Sequence, residues 1–333
     1  MLSASKKAGN SVIEFANSDS TIWHRDQLIM QIAAAMSAQQ PRIDLSTKNE
    51  GPCAASLGLY DLLDQLCAEF RYDPRRIHIK TCNLVEAHPV YNINIDPNVY
   101  YLQSAQRYTT PDTAKQIDAD FKHFGNFIGH GNVHRLYLAS VLRNVYGDIA
   151  LQTYHCDPTS EYHRAFVGIE DMMHLKYSAE EVRSALKLIE AAPITQDAID
   201  QYPILNPTTL NITKLYPRFF VEIVNLTYWS GNTFYLDEKI WRPILMRTPF
   251  IVQGPQHFMS RFRTLGFRTF DAWWDEGHSE DPADYQPRAI AQLLNQISQY
   301  TLSDIRHILA DMQDTLEHNY QLMMRITRRD LHA

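Results

Sequence analysis

Apolar runs of strand length alternate with stretches of helical spacing along most of the chain. In the first third, Val12–Phe15, Arg42–Leu45, Ile77–Cys82 and Tyr91–Ile95 read as short strands. Between them, Gln27–Met36 reads as a helix, and so does Leu57–Phe70, where Leu59, Leu62, Leu63, Leu66 and Phe70 recur on one face. The pattern resumes with a strand at Gly125–Ile128, a helix over Asn132–Tyr146, a strand at Ile149–Tyr154 and a helix over Tyr177–Ala191. Pro193, Pro203 and Pro207 then mark a long connector. Phe219–Leu226, rich in β-branched and aromatic residues and interrupted by Glu222 and Asn225, predicts a mostly buried strand. Ser230, Gly231 and Asn232 supply turn chemistry, and Asp237 is placed to cap a short helix through Glu238, Lys239, Trp241 and Leu245, stopped by Thr248 and Pro249. Phe250–Val252 is a further strand ended by Gly254 and Pro255, and Ala289–Arg325 reads as two closing helices.

Alternating strands and helices predict an α/β protein with parallel sheets covered on both faces. The polar cluster Thr109, Thr110, Pro111 and Asp112 places a hinge between residues 105 and 120. The expected division is an α/β domain over 1–115, a Rossmann-like domain over 120–285, and closing helices over 286–333. Units of this kind bind ligands at the carboxyl ends of their strands, where helix N-termini offer free N–H groups to phosphate. Glu238 and Lys239 fall at such a place. An acid in the first helical turn is favoured by the macrodipole alone, so Asp237 and Glu238 also suit a simple cap; a cation there is unfavourable unless an anion lies nearby, which points Lys239 towards a ligand.

With 45% hydrophobic and 21% charged residues, the chain has the composition of an ordinary globular protein. No run reaches the ~18 apolar residues of a membrane span, and MLSASKKAGNS lacks the apolar centre of a signal peptide, so the expectation is a cytoplasmic protein, in the host cytoplasm if viral. Cys53, Cys67, Cys82 and Cys156 show no CxxC spacing, which fits reduced thiols. A net charge of −7 disfavours sequence-independent nucleic-acid binding.

The run Tyr235-Leu236-Asp237-Glu238-Lys239, followed after a short helix by Pro249-Phe250-Ile251-Val252 and Gly254-Pro255, resembles the donor-site signature of the α1,3-fucosyltransferase-like glycosyltransferases, Tyr-x-Thr-Glu-Lys and then a Pro-Val-Val-like strand. Asp237 stands where that signature has Thr. Phe127-Ile128-Gly129-His130-Gly131-Asn132-Val133-His134-Arg135 is similar to the same family's strand-turn-helix segment with its helical Arg. Leu265-Gly266-Phe267-Arg268-Thr269-Phe270, with Trp274-Asp275-Glu276, resembles related viral and bacterial glycosyltransferase-like proteins.

The resemblance implies a GT-B-like architecture, two Rossmann-like domains facing a cleft, the first taking the acceptor and the second the donor. It implies a transfer from a GDP- or UDP-linked sugar to an acceptor hydroxyl, with the nucleotide sugar as co-substrate and no other cofactor. It assigns the ribose hydroxyls to Glu238 and the diphosphate to Lys239 and Arg135, with Tyr235, Glu222 and Asn225 as further donor-site residues. Preorganised cations stabilise the charge that grows on a departing diphosphate, which makes Arg135 and Lys239 catalytic as well as binding residues. Arg135 also opens an amphipathic run, Leu136, Leu138, Val141 and Leu142, on which a surface Arg would be ordinary.

An inverting transfer needs a base beside the acceptor hydroxyl. Glu50, Glu86 and His88 follow predicted strands, and Glu86 is the choice among them. His130 and His134 are four apart, but no HExxH accompanies them and no Asp-x-Asp stands out for a metal on the diphosphate, so no metal is expected. Two other readings follow from the same residues: a transferase acting on modified bases in DNA, and a non-catalytic nucleotide- or carbohydrate-binding protein.

Overall fold

A computed structural model describes residues 4–7, 10–14, 25–47, 51–96, 114–129, 131–154, 165–194, 212, 214–229 and 231–330. The chain divides into two compact units, one comprising Met1–Tyr100 with Thr227–Asp237, the other Tyr101–Leu226 with Glu238–Ala333. Both are mixed α/β with largely parallel sheets, as the alternation predicts. Most of the interval assigned to a hinge lies outside the described residues.

The first unit holds β1 (Ala4–Lys7), β2 (Asn10–Glu14), α1 (Arg25–Ser37), β3 (Ile43–Ser46), α2 (Leu59–Phe70), β4 (Ile77–Thr81) and β5 (Asn92–Ile95). Its sheet has the order β1-β2-β3-β4-β5, antiparallel between β1 and β2 and parallel thereafter. Ile43 and Leu45 of β3 and Ile77 and Ile79 of β4 alternate inwards to meet Leu28, Ile32 and Met36 of α1 and Leu59 and Leu63 of α2. Arg71, at φ 52°, turns the chain out of α2 and donates its N–H to Ala68 and Cys67 carbonyls.

The segment Thr227–Asp237 is bonded into this unit rather than the one that flanks it in sequence. The Asn83 side chain donates to the Asn232 carbonyl at 2.9 Å and accepts from Phe234 N at 2.8 Å, while Leu84 N donates to Phe234 O and Cys53 N to Thr233 Oγ1. Gly231, at φ 67°, lies so close to Ser56 that a Cβ would sit 2.7 Å from the serine Cβ. The expectation of one continuous domain over 120–285 therefore misses an excursion whose cause is Asn83, a wholly buried residue far away in sequence. Replacing Asn83 by Ala strands several buried donors and acceptors, and an Asn83→Ala variant should lose about 2 kcal/mol in urea unfolding.

The second unit holds β6 (Lys122–Ile128), α3 (Val133–Val145), β7 (Ala150–Tyr154), α4 (Ala165–His174), α5 (Ala179–Ala191), β8 (Phe219–Asn225), α6 (Glu238–Leu245), β9 (Phe250–Gln253), α7 (Phe258–Thr264), α8 (Gln286–Ile297), α9 (Leu302–Asp311) and α10 (Gln313–Asp330). Its sheet is parallel throughout, in the order β7-β6-β8-β9. Every residue of β8 and β9 is buried, as expected of parallel strands with both faces covered. Three helices rather than two close the chain. One break ends at Thr301, whose side chain and Asp304 form a reciprocal cap that starts α9, and the other falls at Met312 between α9 and α10.

Candidate functional site

The order β7-β6-β8-β9 places a switch point between β6 and β8. From β6 the chain crosses to β7 on one side, and from β8 it continues to β9 on the other. Such a point leaves a crevice at the carboxyl ends of the strands, the usual ligand position in open α/β sheets. The sheet of the first unit runs from β2 to β5 in one direction and offers no such reversal among the described strands.

Asn132 follows β6 and caps α3, its Oδ1 accepting from Arg135 N at 2.9 Å. This cap fixes the first helical turn and with it Arg135, whose Nη2 donates to the carbonyl of Asn225, the last residue of β8, at 3.2 Å. Arg135 is 4% exposed, so the surface position that its amphipathic context allowed is not where the fold puts it. Its cation stands at the switch point in low-dielectric surroundings, bridging α3 and the end of β8. The adjacent His134 is also buried, and burial first, then the Arg135 charge, pushes its pKa down to about 4. The Asp284 carboxylate lies 3.6 Å from His134 but is half exposed, too weak a counterion to reverse that direction. His130 lies outside the described residues.

Asn225 contributes its side chain as well as its carbonyl. Its Nδ2 donates to Asn126 Oδ1 at 2.7 Å and to Ile223 O at 3.1 Å. Glu222, three residues earlier, is fully buried and engaged on both oxygens, by Tyr216 Oη at 2.6 Å and by Arg242 Nη2 at 2.9 Å. Burial raises its pKa, against the pull of Arg242, Tyr216 and Lys115. The family-implied donor role of Glu222 therefore meets a carboxylate already committed to pairing inside the unit, fastening α6 to β8 through Arg242.

Glu238 and Lys239 form the first turn of α6. Lys239 is half-buried, and the Glu238 side chain lies outside the described residues. Pro243 sits inside this short helix and supplies no N–H to the turn that Lys239 opens.

Tyr235 and Glu86 are in the first unit. Tyr235 is 3% exposed, its ring 5.9 Å from that of Tyr228, and a Cβ on Gly51 would press against it at 2.9 Å. Glu86 is 7% exposed; its Oε1 accepts from Tyr60 Oη at 2.6 Å, and its Oε2 from Asn83 Nδ2 at 2.9 Å and Ala54 N at 3.2 Å. These three hydrogen bonds tie the loop after β3 to the loop after β4 and leave Oε1 one lone pair beyond that given to Tyr60. His88 accepts at Nδ1 from Val90 N and Tyr91 N, which fixes the ring proton on Nε2 and makes this nitrogen a donor in the neutral ring. Glu50 lies outside the described residues.

The structure thus gathers Arg135 and Asn225 at the switch point of the second unit, with Glu222 further down β8. Sequence reasoning missed Asn126, Gln152 and Gln253, which with Asn225 put a carboxamide on every strand of this sheet. The available signal was a single amide inside each apolar strand. Among the described residues no three His, Cys, Asp or Glu side chains cluster as a metal site requires, and no helix is long and apolar enough to cross a membrane.

No protein-family model matches the chain, and no curated protein sequence does. Among solved structures, it is similar to a UDP-forming alpha,alpha-trehalose-phosphate synthase from Burkholderia xenovorans, at 12% identity and a TM-score of 0.36, over 87% of this chain and 68% of that one.

Proposed function

We propose that the protein is a metal-independent glycosyltransferase, taking a nucleotide-diphosphate sugar at the carboxyl edge of its second unit. The observation that carries this reading is the switch point between β6 and β8, with Arg135 held across it from the first turn of α3 to Asn225 O. A cation fixed there suits the charge that develops as a diphosphate departs, because it needs no reorganisation during the reaction. Lys239, half-buried in the first turn of α6, is the second cation of the implied signature. In the transfer, the bond between the anomeric carbon and the diphosphate oxygen breaks and a bond to the acceptor oxygen forms. The acceptor proton passes to a base or to solvent, and the nucleoside diphosphate leaves with the bonding pair. The GT-B-like arrangement, the ribose role of Glu238 and the acceptor role of the first unit belong to the same proposal and rest on the resemblance.

Isothermal titration with GDP, UDP and their sugars tests the reading. Binding of one base family at micromolar affinity is expected, and a folded protein that binds none of them overturns it. A Lys239→Ala variant should bind about tenfold more weakly while its melting temperature stays unchanged. An equal loss of stability without loss of affinity would return Lys239 to a purely structural role.

A further inference from the structure

Asn126 occupies the fifth position of β6, wholly buried, in a strand whose neighbours are Phe124, Phe127 and Ile128. A carboxamide there is out of keeping with its setting. Register pairs it with Gln152 of β7, and in parallel strands paired residues face the same side of the sheet. That side is the one covered by α3, because Gln152 Nε2 donates to Ala139 O in the middle of that helix at 3.0 Å. On β8, Asn225 turns its Nδ2 to Asn126 Oδ1, while its own carbonyl accepts from Arg135 Nη2.

The bonds form a continuous path. Asn126 holds the side chain of Asn225, Asn225 holds the guanidinium of Arg135 through its carbonyl, and Asn132 holds the Arg135 main chain from the other side. Gln152 fastens the same helix lower down. The polar layer thus fixes the height and rotation of α3 on the sheet, and with them the place of the cation at the switch point. It does so at a cost, since Asn126 Nδ2 and Asn225 Oδ1 have no hydrogen-bond partner among the described residues. Exchanging the ends of one amide alone sets like atoms face to face, and exchanging both still leaves a donor and an acceptor over, so no assignment of the amides removes the cost. A branched apolar side chain at 126 would fill the space without it.

We propose that Asn126 is a positioning residue, which sets where Arg135 stands for a diphosphate by holding the end of β8 through Asn225. This rests on the transferase reading above for the identity of the ligand, but the link between Asn126 and Arg135 is a property of the second unit alone. Its ligand is a diphosphate, so inorganic pyrophosphate serves as a probe independent of base and sugar.

The test is a double-mutant cycle with Asn126→Leu, Arg135→Ala and the two combined, read by pyrophosphate titration and by urea unfolding. Asn126→Leu should keep a cooperative transition and weaken pyrophosphate about tenfold, and in the combined variant it should add nothing to the effect of Arg135→Ala. Additive losses, or Asn126→Leu binding as well as the unaltered protein, would overturn the proposal. If Asn126→Leu does not fold, Asn126→Ala takes its place in the cycle. If the unaltered protein binds neither pyrophosphate nor any nucleotide, the transferase reading falls and the ligand with it. The link is then decided by the unfolding midpoints: shifts that fail to add uphold it, and shifts that add refute it.

Discussion

Replacing Arg242 by Met is expected to destabilise the protein by about 4 kcal/mol, since it leaves a buried carboxylate without its cation. Glu222 has no exposed surface, and its Oε1 depends on the guanidinium at 2.9 Å, itself only 11% exposed. Tyr216 Oη remains as a donor but carries no charge, and Lys115, the other cation acting on Glu222, spends its hydrogen bonds on Tyr216 O, Phe219 O and Thr248 Oγ1. The deficit should also vary with pH in a defined direction. Burial already raises the Glu222 pKa above its ordinary 4.5, and loss of Arg242 raises it further. A group raised in the folded state supports folding fully below its unfolded pKa and loses that support as pH rises through the folded value. The Arg242→Met variant should therefore differ little from the unaltered protein near pH 4 and most at pH 7 and above. Urea unfolding across that range measures it, and a Glu222→Leu change added to Arg242→Met should recover most of the loss at neutral pH. A deficit that does not depend on pH would mean that Arg242 acts by packing against the Phe127 ring rather than by charge.

Acid is expected to act through His134. Its folded pKa is depressed to about 4 from the ordinary 6.5. A depressed value means that the stabilising contribution is complete above pH 6.5 and is lost as pH falls through 4, amounting to about 3 kcal/mol. A His134→Gln variant does not titrate, so its stability should fall less steeply between pH 6.5 and 4, and the difference between the two curves should approach that figure. Parallel curves would show that the ring is already charged in the folded state. His278, buried with its Nε2 at 3.2 Å from Val252 O, is shifted in the same direction by burial and belongs to the acid response common to both proteins.

Much of the fold was legible because its cause is local. Phe219–Asn225 and Phe250–Gln253 are apolar runs of strand length, and α2 shows its buried leucines at helical intervals. The short β1 and α7 were not read, the first for want of apolar residues in Ala-Ser-Lys-Lys and the second because Ser260, Arg261 and Arg263 break the pattern of a helix of one or two turns. The site was legible in part. The resemblance of Phe127–Arg135 to a strand-turn-helix segment singled out Arg135, yet nothing in the amphipathic run told that Arg135 turns inwards. Glu86 stood out only as an acid after β4, and its partners Tyr60, Ala54 and Asn83 are set by tertiary packing. The carboxamides of the second sheet were visible one by one in four strands, and became a layer only once register aligned Asn126 with Gln152 and Asn225 with Gln253.

The return of residues 227–237 into the first unit sets an order on biosynthesis. A chain emerging from the ribosome can pair β2, β3, β4 and β5 early, but the partners of Asn83 and of Cys53 N–H arrive only after the whole of β8 has been made. The first unit is therefore finished by a piece of chain made after most of the second. Fragments cut after residue 100 would lack that piece, and division of this protein into separately expressed parts calls for grafting it back by a short linker.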